Sequence, residues 1–233
     1  MQLRAERGRE MEKDEVILLD FWASPFAARV KIALAEKGVE YKAREEDLLE
    51  SKSPLLLQSN PVHKKVPVLL HKGKPVCESL VILDYIDDVW PSPPLLPQYP
   101  RARATARFWA HFADTKLFEA GTRVWKSKPV GEARRQAAGD FIEALKLLEG
   151  ALVDDKEYFG GERFGYLDAV VAPLTSWFHA YELCGGFKVA DECPVFDAWA
   201  KRCAARENVA AALPDPDQVY ELVWMMRRMY DIE

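Results

Sequence analysis

Cysteine is scarce in this 233-residue chain: Cys77, Cys184, Cys193 and Cys203 are the only four, and no two of them form a CxxC pair. That is too few for a disulfide scaffold of this size, so a reducing, cytoplasmic compartment is the expectation. Histidine is as sparse, and His63, His71, His111 and His179 stand at no metal-ligand spacing to the cysteines, so no metal is expected. Long apolar runs are missing. The longest stretch without a charged residue is thirteen residues, between Asp168 and Glu182, against the roughly 18 to 20 that a membrane span needs. A basic excess is missing too. Thirty-two Lys and Arg against 37 Asp and Glu give a net charge of -5, and division at residue 97 leaves 14 against 16, then 18 against 21. Neither half carries the positive field of a nucleic-acid partner, and none is expected. Residues 1–13 hold four basic and three acidic side chains and no apolar run, which fits neither a secretory signal nor a transit peptide; they read as a flexible extension.

What is present suffices for a core. Hydrophobic residues make up 49 % and charged residues 30 %, with 15 Pro and 12 Gly, a composition that is neither disordered nor fibrous. Two unequal domains are expected, since a domain usually holds about 100 to 200 residues. From Val16 to Trp90 strand and helix signals alternate. Val16 to Phe21 is a short apolar strand, and Pro25 to Lys37 a helix stopped by Gly38. Val39 to Arg44 is a weaker strand, and Ser53 to Leu57 a short helical connection. Val66 to Leu70 and Pro75 to Cys77 predict a hairpin around residues 71–74. Leu80 to Val89 closes an α/β domain over residues 14–90 in the order βαβαββα. Residues 91–100 hold five prolines and predict a stiff linker. Residues 101–233 then predict helices alone, over 104–125, 132–154, 166–183, 194–206 and 218–230.

Three segments of the first domain offer chemistry. Ser24-Pro25 stands between a strand and a helix, where a hydroxyl and the helix N-terminus would stabilise an anion such as a thiolate. A plain helix cap explains the same two residues, and both readings stand. Lys64-Lys65-Val66-Pro67 puts a proline at a strand start, where a cis bond would leave the Val66 backbone free to pair with a ligand; an ordinary edge proline and solvated lysines are the bland alternative. Cys77-Glu78-Ser79 runs a strand into a helix, offering a carboxylate for an ammonium and a hydroxyl for a carboxylate, or only a cap. Asp168 reads as structural and Cys77 as a small buried hydrophobe. At the helix start before Asp168, Gly165 stands where a Ser or Thr cap is usual, which predicts a backbone-made cap.

These strings together resemble the cytosolic glutathione transferases, and in detail their plant tau class. The matching residues are Phe21-Trp22-Ala23-Ser24-Pro25-Phe26 with Arg29-Val30, then Ala33 to Gly38, Asn60 to Leu69, Glu78-Ser79-Leu80 and Phe164-Gly165-Tyr166-Leu167-Asp168. The resemblance implies a thioredoxin-like βαβαββα domain followed by an all-helical domain, in a cytoplasmic homodimer. It implies Ser24 as the catalytic serine and Lys52, Lys65, Val66, Pro67, Glu78 and Ser79 as the glutathione site. The chemistry of the ligand agrees: Lys52 and Lys65 suit its glycyl carboxylate, Val66 its peptide backbone, and Glu78 with Ser79 its γ-glutamyl end. For the acceptor side the resemblance brings the first helix after the linker and the C-terminal helix over the same cleft, implicating Phe21, Trp22, Phe112, Lys116, Trp177, Leu222, Met226 and Met229; core packing explains the helical aromatics and methionines equally well.

The activity implied is conjugation of glutathione, as co-substrate and with no other cofactor, to hydrophobic electrophiles in detoxification and stress response, with a peroxidase side activity. A non-catalytic carrier that holds hydrophobic molecules in the same cleft is the alternative. Thiol transfer with glutathione disulfides would need a cysteine where Ser24 stands.

Overall fold

The computed structural model describes residues 15–152 and 156–232; the extension read over residues 1–13 lies outside them. The chain divides between Pro93 and Pro94 into two compact units.

In the first unit the elements run β1 (Val16–Asp20), α1 (Pro25–Glu36), β2 (Lys42–Glu45), α2 (Pro54–Ser59), β3 (Val68–His71), β4 (Lys74–Cys77) and α3 (Ser79–Val89). The strands form one sheet in the order β2-β1-β3-β4. β2 runs parallel to β1, whereas β3 is antiparallel to both β1 and β4. β1 is apolar on both faces and central, so it is buried almost throughout; β2 is Lys-Ala-Arg-Glu and takes an exposed edge. Leu56 of α2 packs with Leu19, Val68 and Leu70 in one core cluster, and α1 packs against α3.

The hairpin is tighter than its sequence suggests. Lys72 and Gly73 alone make the turn, both at positive φ (54° and 72°), so His71 and Lys74 pair as strand residues. Two positive-φ residues match the right-handed twist of the strands they join. β3 begins at Val68 instead of Val66, two residues later than the apolar run, because Pro67 has no N–H to give a ladder.

The second unit holds α4 (Pro100–Phe112), α5 (Glu119–Lys126), α6 (Glu132–Glu149), α7 (Tyr166–Val171), α8 (Phe178–Gly185), α9 (Val189–Glu192), α10 (Pro194–Ala204), α11 (Glu207–Ala210) and α12 (Pro216–Met229). The expected helix over 104–125 starts earlier, at Pro100, since proline at the first helical position costs no hydrogen bond. It is also interrupted: Ala113–Phe118 widens into a π-helical segment between α4 and α5. The single helix expected over 166–183 tightens into a 3-10 segment at Ala172–Trp177, where Pro173 lacks the N–H that an α-helix would use. The short α9 and α11 carry too few residues to show a period. Phe141, Phe178, Tyr181, Phe196 and Trp199 form an aromatic core, linked by ring contacts of 4.8 to 5.9 Å.

Asp168 lies at the centre of this unit, fully buried. Its Oδ1 accepts from the Phe159 N–H (3.0 Å) and Trp199 Nε1 (2.8 Å), and its Oδ2 from the Gly165 N–H (3.0 Å). The cap expected from backbone alone is thus supplied by a side chain, three residues into α7. Among the described residues no helix is long and apolar enough to cross a membrane, and no group of three or more His, Cys, Asp or Glu is placed to hold a metal ion.

Candidate functional site

Strand register decides which loops meet. Leu19 of β1 lies opposite Val68 of β3, and Val68 opposite Cys77 of β4. The chain leaving β1 toward Ser24, the chain entering β3 from Lys65 and Val66, and the chain leaving β4 into Glu78 and Ser79 therefore share one end of the sheet. The catalytic and glutathione candidates from these three segments converge there.

Ser24 caps the twelve-residue α1. Its Oγ accepts from the Ala27 N–H at 3.2 Å, and its own N–H donates to the Phe21 carbonyl at 2.8 Å. A hydroxyl that accepts in this way keeps its proton for another partner. The approach to Ser24 is held by two carboxylates. Asp20, buried and paired with Lys31, accepts from the Phe21 N–H at 2.7 Å, and Glu45 accepts from the Trp22 N–H at 2.7 Å. Trp22 is left 37 % exposed beside the serine.

Ser79 is buried at the first position of α3, and Arg29 Nη1 donates to its Oγ at 3.1 Å. Arg29 is itself fully buried and packs its guanidinium 4.8 Å from the centre of the Phe26 ring. The Ser79 hydroxyl, like that of Ser24, has its lone pair engaged and its proton to give. Glu78 stands just before α3 at φ 71°, with its carboxylate half exposed and 3.8 Å from His63 Nε2.

The loop between these segments is shaped by Asn60. Buried at 3 % exposure, it donates from Nδ2 to the Lys65 carbonyl (3.0 Å) and accepts at Oδ1 from the His63 N–H (3.1 Å). Lys52 Nζ reaches the same loop, donating to the Lys64 carbonyl at 2.9 Å. The adjoining Ser53 is anchored by the buried Glu46, which accepts from its N–H and its hydroxyl at 3.1 and 2.8 Å. Lys52 and Lys65 are both exposed. The Val66–Pro67 bond is cis, and among the described residues the Val66 backbone has no hydrogen-bond partner.

Arg29, Asn60, Glu46 and His63 were not singled out for roles by sequence reasoning. A buried arginine amid Ala27, Ala28 and Val30 is the one that carried a signal, because a charge on an apolar helix face is seldom left unpaired.

No thiol competes with the serine. Burial pushes all four cysteines up: Cys193 to about 11, with Glu149 adding to the effect, and Cys77 with help from the Glu78 charge. A nucleophilic cysteine needs the opposite shift. Cys77 is partly rather than fully buried, its Sγ 3.5 Å from the Ser59 carbonyl.

The acceptor candidates fall in both units. Phe21 and Trp22 flank Ser24 in the first. In the second, Phe112 and Lys116 sit at the π-helical segment, with the Phe112 ring 5.2 Å edge-on to Trp109. Trp177 ends the 3-10 segment, and that segment and α8 both pack against α12. On α12 Leu222 is buried, Met226 half-buried and Met229 62 % exposed.

Residues 14–88 match the family description "Glutathione S-transferase, N-terminal domain", and residues 131–202 match "Glutathione S-transferase, C-terminal domain". The chain is 53 % identical over 225 residues to a probable glutathione S-transferase, parC, of Nicotiana tabacum, covering 96 % of this chain and 100 % of that one. It is 51 % identical over 224 residues to glutathione S-transferase U28 of Arabidopsis thaliana, covering 95 % and 99 %. Among solved structures, rice GST1 (OsGSTU1) in complex with glutathione matches with a TM-score of 0.89 at 49 % identity, over 94 % of this chain and 98 % of that one. The tau-class glutathione S-transferase MiGSTU from mango, Mangifera indica, matches with a TM-score of 0.86 at 40 % identity, over 91 % and 99 %.

Proposed function

The chain belongs to the glutathione S-transferase family, and on that premise we propose that it joins glutathione to hydrophobic electrophiles at the sheet end where Ser24, Val66 and Ser79 converge. Plant tau-class enzymes are among its relatives. The carrying observation is the strand register that gathers two proton-donating hydroxyls, an unpaired stretch of backbone and a carboxylate at one place.

Each part answers a group of the tripeptide. The Val66 N–H and carbonyl pair with the cysteinyl backbone. Ser79, at the N-terminus of α3, gives its proton to the γ-glutamyl carboxylate, and Glu78 takes the ammonium. Lys52 and Lys65 meet the glycyl carboxylate. The thiol then lies by Ser24.

A free thiol has a pKa of about 8.5, so only a few per cent is thiolate at neutral pH. The Ser24 hydroxyl and the positive end of α1 favour the thiolate over the thiol and raise that fraction. With an aryl halide, the sulfur lone pair forms the C–S bond, the halide leaves with the C–X pair, and the thiol proton passes to water. Holding the two reactants side by side supplies much of the rate. The same family resemblance carries with it a cytoplasmic homodimer.

Ser24→Ala is expected to lower kcat about ten-fold or more, roughly 1.4 kcal/mol, with far less change in the KM for glutathione. Since Ser24 also caps α1, Ser24→Asp is the companion: aspartate keeps the cap but offers no proton at neutral pH. Both variants losing turnover in an aryl-halide assay supports the hydroxyl donor. Parental turnover in Ser24→Asp reduces Ser24 to a cap.

A further inference from the structure

A cavity of about 490 Å³ opens in the second unit, and none of the residues assigned above to glutathione or acceptor lines it. Its walls are Leu95, Pro97, Ala102, Ala106, Trp109 and Tyr166, with Phe159 and Gly160 closing one side and Tyr99 at the rim. Such a volume is that of a pocket for a drug-sized ligand.

The walls come from three stretches of chain, residues 95–109, Ala151 after α6, and residues 159–160 with 165–167, and hydrogen bonds tie the first to the last. The Tyr166 N–H donates to the Leu95 carbonyl at 2.9 Å, which pins the stretch before α4 onto the start of α7. Gly165 permits that approach, because a Cβ there would stand 3.1 Å from the Leu95 carbonyl oxygen. Asp168 holds the loop that carries Phe159 and Gly160 through its bonds to the Phe159 and Gly165 N–H groups. The facing wall is the side of α4 bearing Ala102, Ala106 and Trp109, where two alanines leave the space that larger side chains would fill. The cavity therefore exists before any ligand arrives, which lowers the ordering cost of binding.

Its chemistry is one-sided. Among the described residues no charged side chain lines it, and Thr105, the one aliphatic hydroxyl, spends its proton on the Arg101 carbonyl at 3.1 Å. Tyr99, Trp109, Phe159 and Tyr166 supply aromatic surface. A full charge would find no opposite charge there among the described residues, only the polar tips of Tyr99, Tyr166 and Trp109, whereas a flat neutral molecule would gain apolar and ring contacts and can meet those tips. We infer that the helical unit binds a neutral aromatic small molecule of two or three rings at this cavity, independently of glutathione. The inference does not rest on the conjugation reading.

The test is a fluorescence titration of the whole protein with N-phenyl-1-naphthylamine, a neutral aromatic amine, in the presence of saturating S-hexylglutathione. Saturable binding that survives S-hexylglutathione is expected, with protection of residues 99–109 from hydrogen exchange when the amine is bound. Ala106→Trp, which fills the cavity, is expected to weaken that binding by about ten-fold or more while conjugation stays within about two-fold of the parent. Should that variant fail to fold, Ala102→Phe, one turn earlier on the same wall, carries the same expectation, and the exchange experiment on the unaltered protein stands by itself. The inference is overturned if S-hexylglutathione displaces all of the amine, if the filled variant binds it with parental affinity, or if residues 99–109 gain no protection. A change of oligomeric state in the filled variant with amine binding intact would assign the face to a second copy of the chain, and overturns it equally.

Discussion

Glu78 holds a backbone conformation that a non-glycine residue seldom adopts, φ 71° and ψ 120°, and its carboxylate caps nothing in α3. Such a conformation costs about 1 to 3 kcal/mol and persists where the surroundings impose it. Two substitutions separate the backbone from the carboxylate. Glu78→Gly is expected to raise the melting temperature and Glu78→Ala to leave it about level, since alanine keeps the strain. Both are expected to weaken glutathione binding by more than about five-fold, beyond the roughly 1 kcal/mol of an exposed ion pair, because the ammonium loses its partner in a partly enclosed site. Calorimetric titration with glutathione and a thermal melt measure the two effects, and undiminished affinity in Glu78→Gly would remove Glu78 from the site. The carboxylate was legible in the sequence because Glu78-Ser79 belongs to a recognisable string. The strain was not, since φ follows from how β4 hands over to α3. The partners of Arg29 and Asn60 were illegible for the same reason: their bonds to Ser79 and Lys65 span loops whose meeting depends on the sheet register.

At the scale of elements, α12 is tied to the rest of its unit by Arg227, almost fully buried although charged. Its guanidinium donates to the carbonyls of Trp125, of Ser127 (2.9 Å) and of Ile232 (3.1 Å), so it caps the C-terminal end of α5 and holds the last turn of the chain. Ending the chain after Leu222 removes this cation along with the methionines, and leaves buried carbonyls at the end of α5 unpaired. Such a truncation is expected to cost about 2 kcal/mol or more in stability and to confound any reading of the acceptor site. Met226→Ala, Met229→Ala and Trp177→Ala spare Arg227. They are expected to raise the KM for bulky acceptors by about three-fold or more while the KM for glutathione stays level, as initial rates over a set of electrophiles would measure. Equal losses for both substrates would return these side chains to the core. The sequence made α12 legible through its apolar period, and likewise β1, α1 and α6. It did not disclose the π-helical break at Ala113–Phe118, because a widened turn disturbs the period of about 3.6 residues too little to be seen in six residues. Nor did it disclose the tight Lys72-Gly73 turn, where lysine takes the positive φ usually left to glycine or asparagine.

At the scale of the whole molecule, the stability of the helical unit is linked to pH through Asp168. Burial pushes its carboxyl up to about 6 from an ordinary value of 3.8, against the pull of the N–H groups of Phe159, Gly165 and Trp199, which favour the ion. In the unfolded chain the group titrates at its ordinary value, so between pH 4 and 6 the folded state binds more protons than the unfolded one. Stability from this group therefore falls as pH rises through that window and is level above it, the reverse of a carboxylate stabilised by a salt bridge. At about 1.4 kcal/mol per unit, the change across the window is on the order of 3 kcal/mol. Asp168→Asn removes the titration while keeping one acceptor oxygen, and it also leaves an amide N–H facing a donor. The variant is expected to be less stable at every pH by about 1 to 3 kcal/mol from that lost acceptance, with the further pH-dependent difference superimposed. Urea unfolding of both proteins from about pH 4.5 to 7 measures it. The margin of parent over variant is expected to shrink as pH rises. A margin that grows with pH would mean that the three N–H donors outweigh burial and hold Asp168 ionised, and the pH linkage proposed for this unit would be lost.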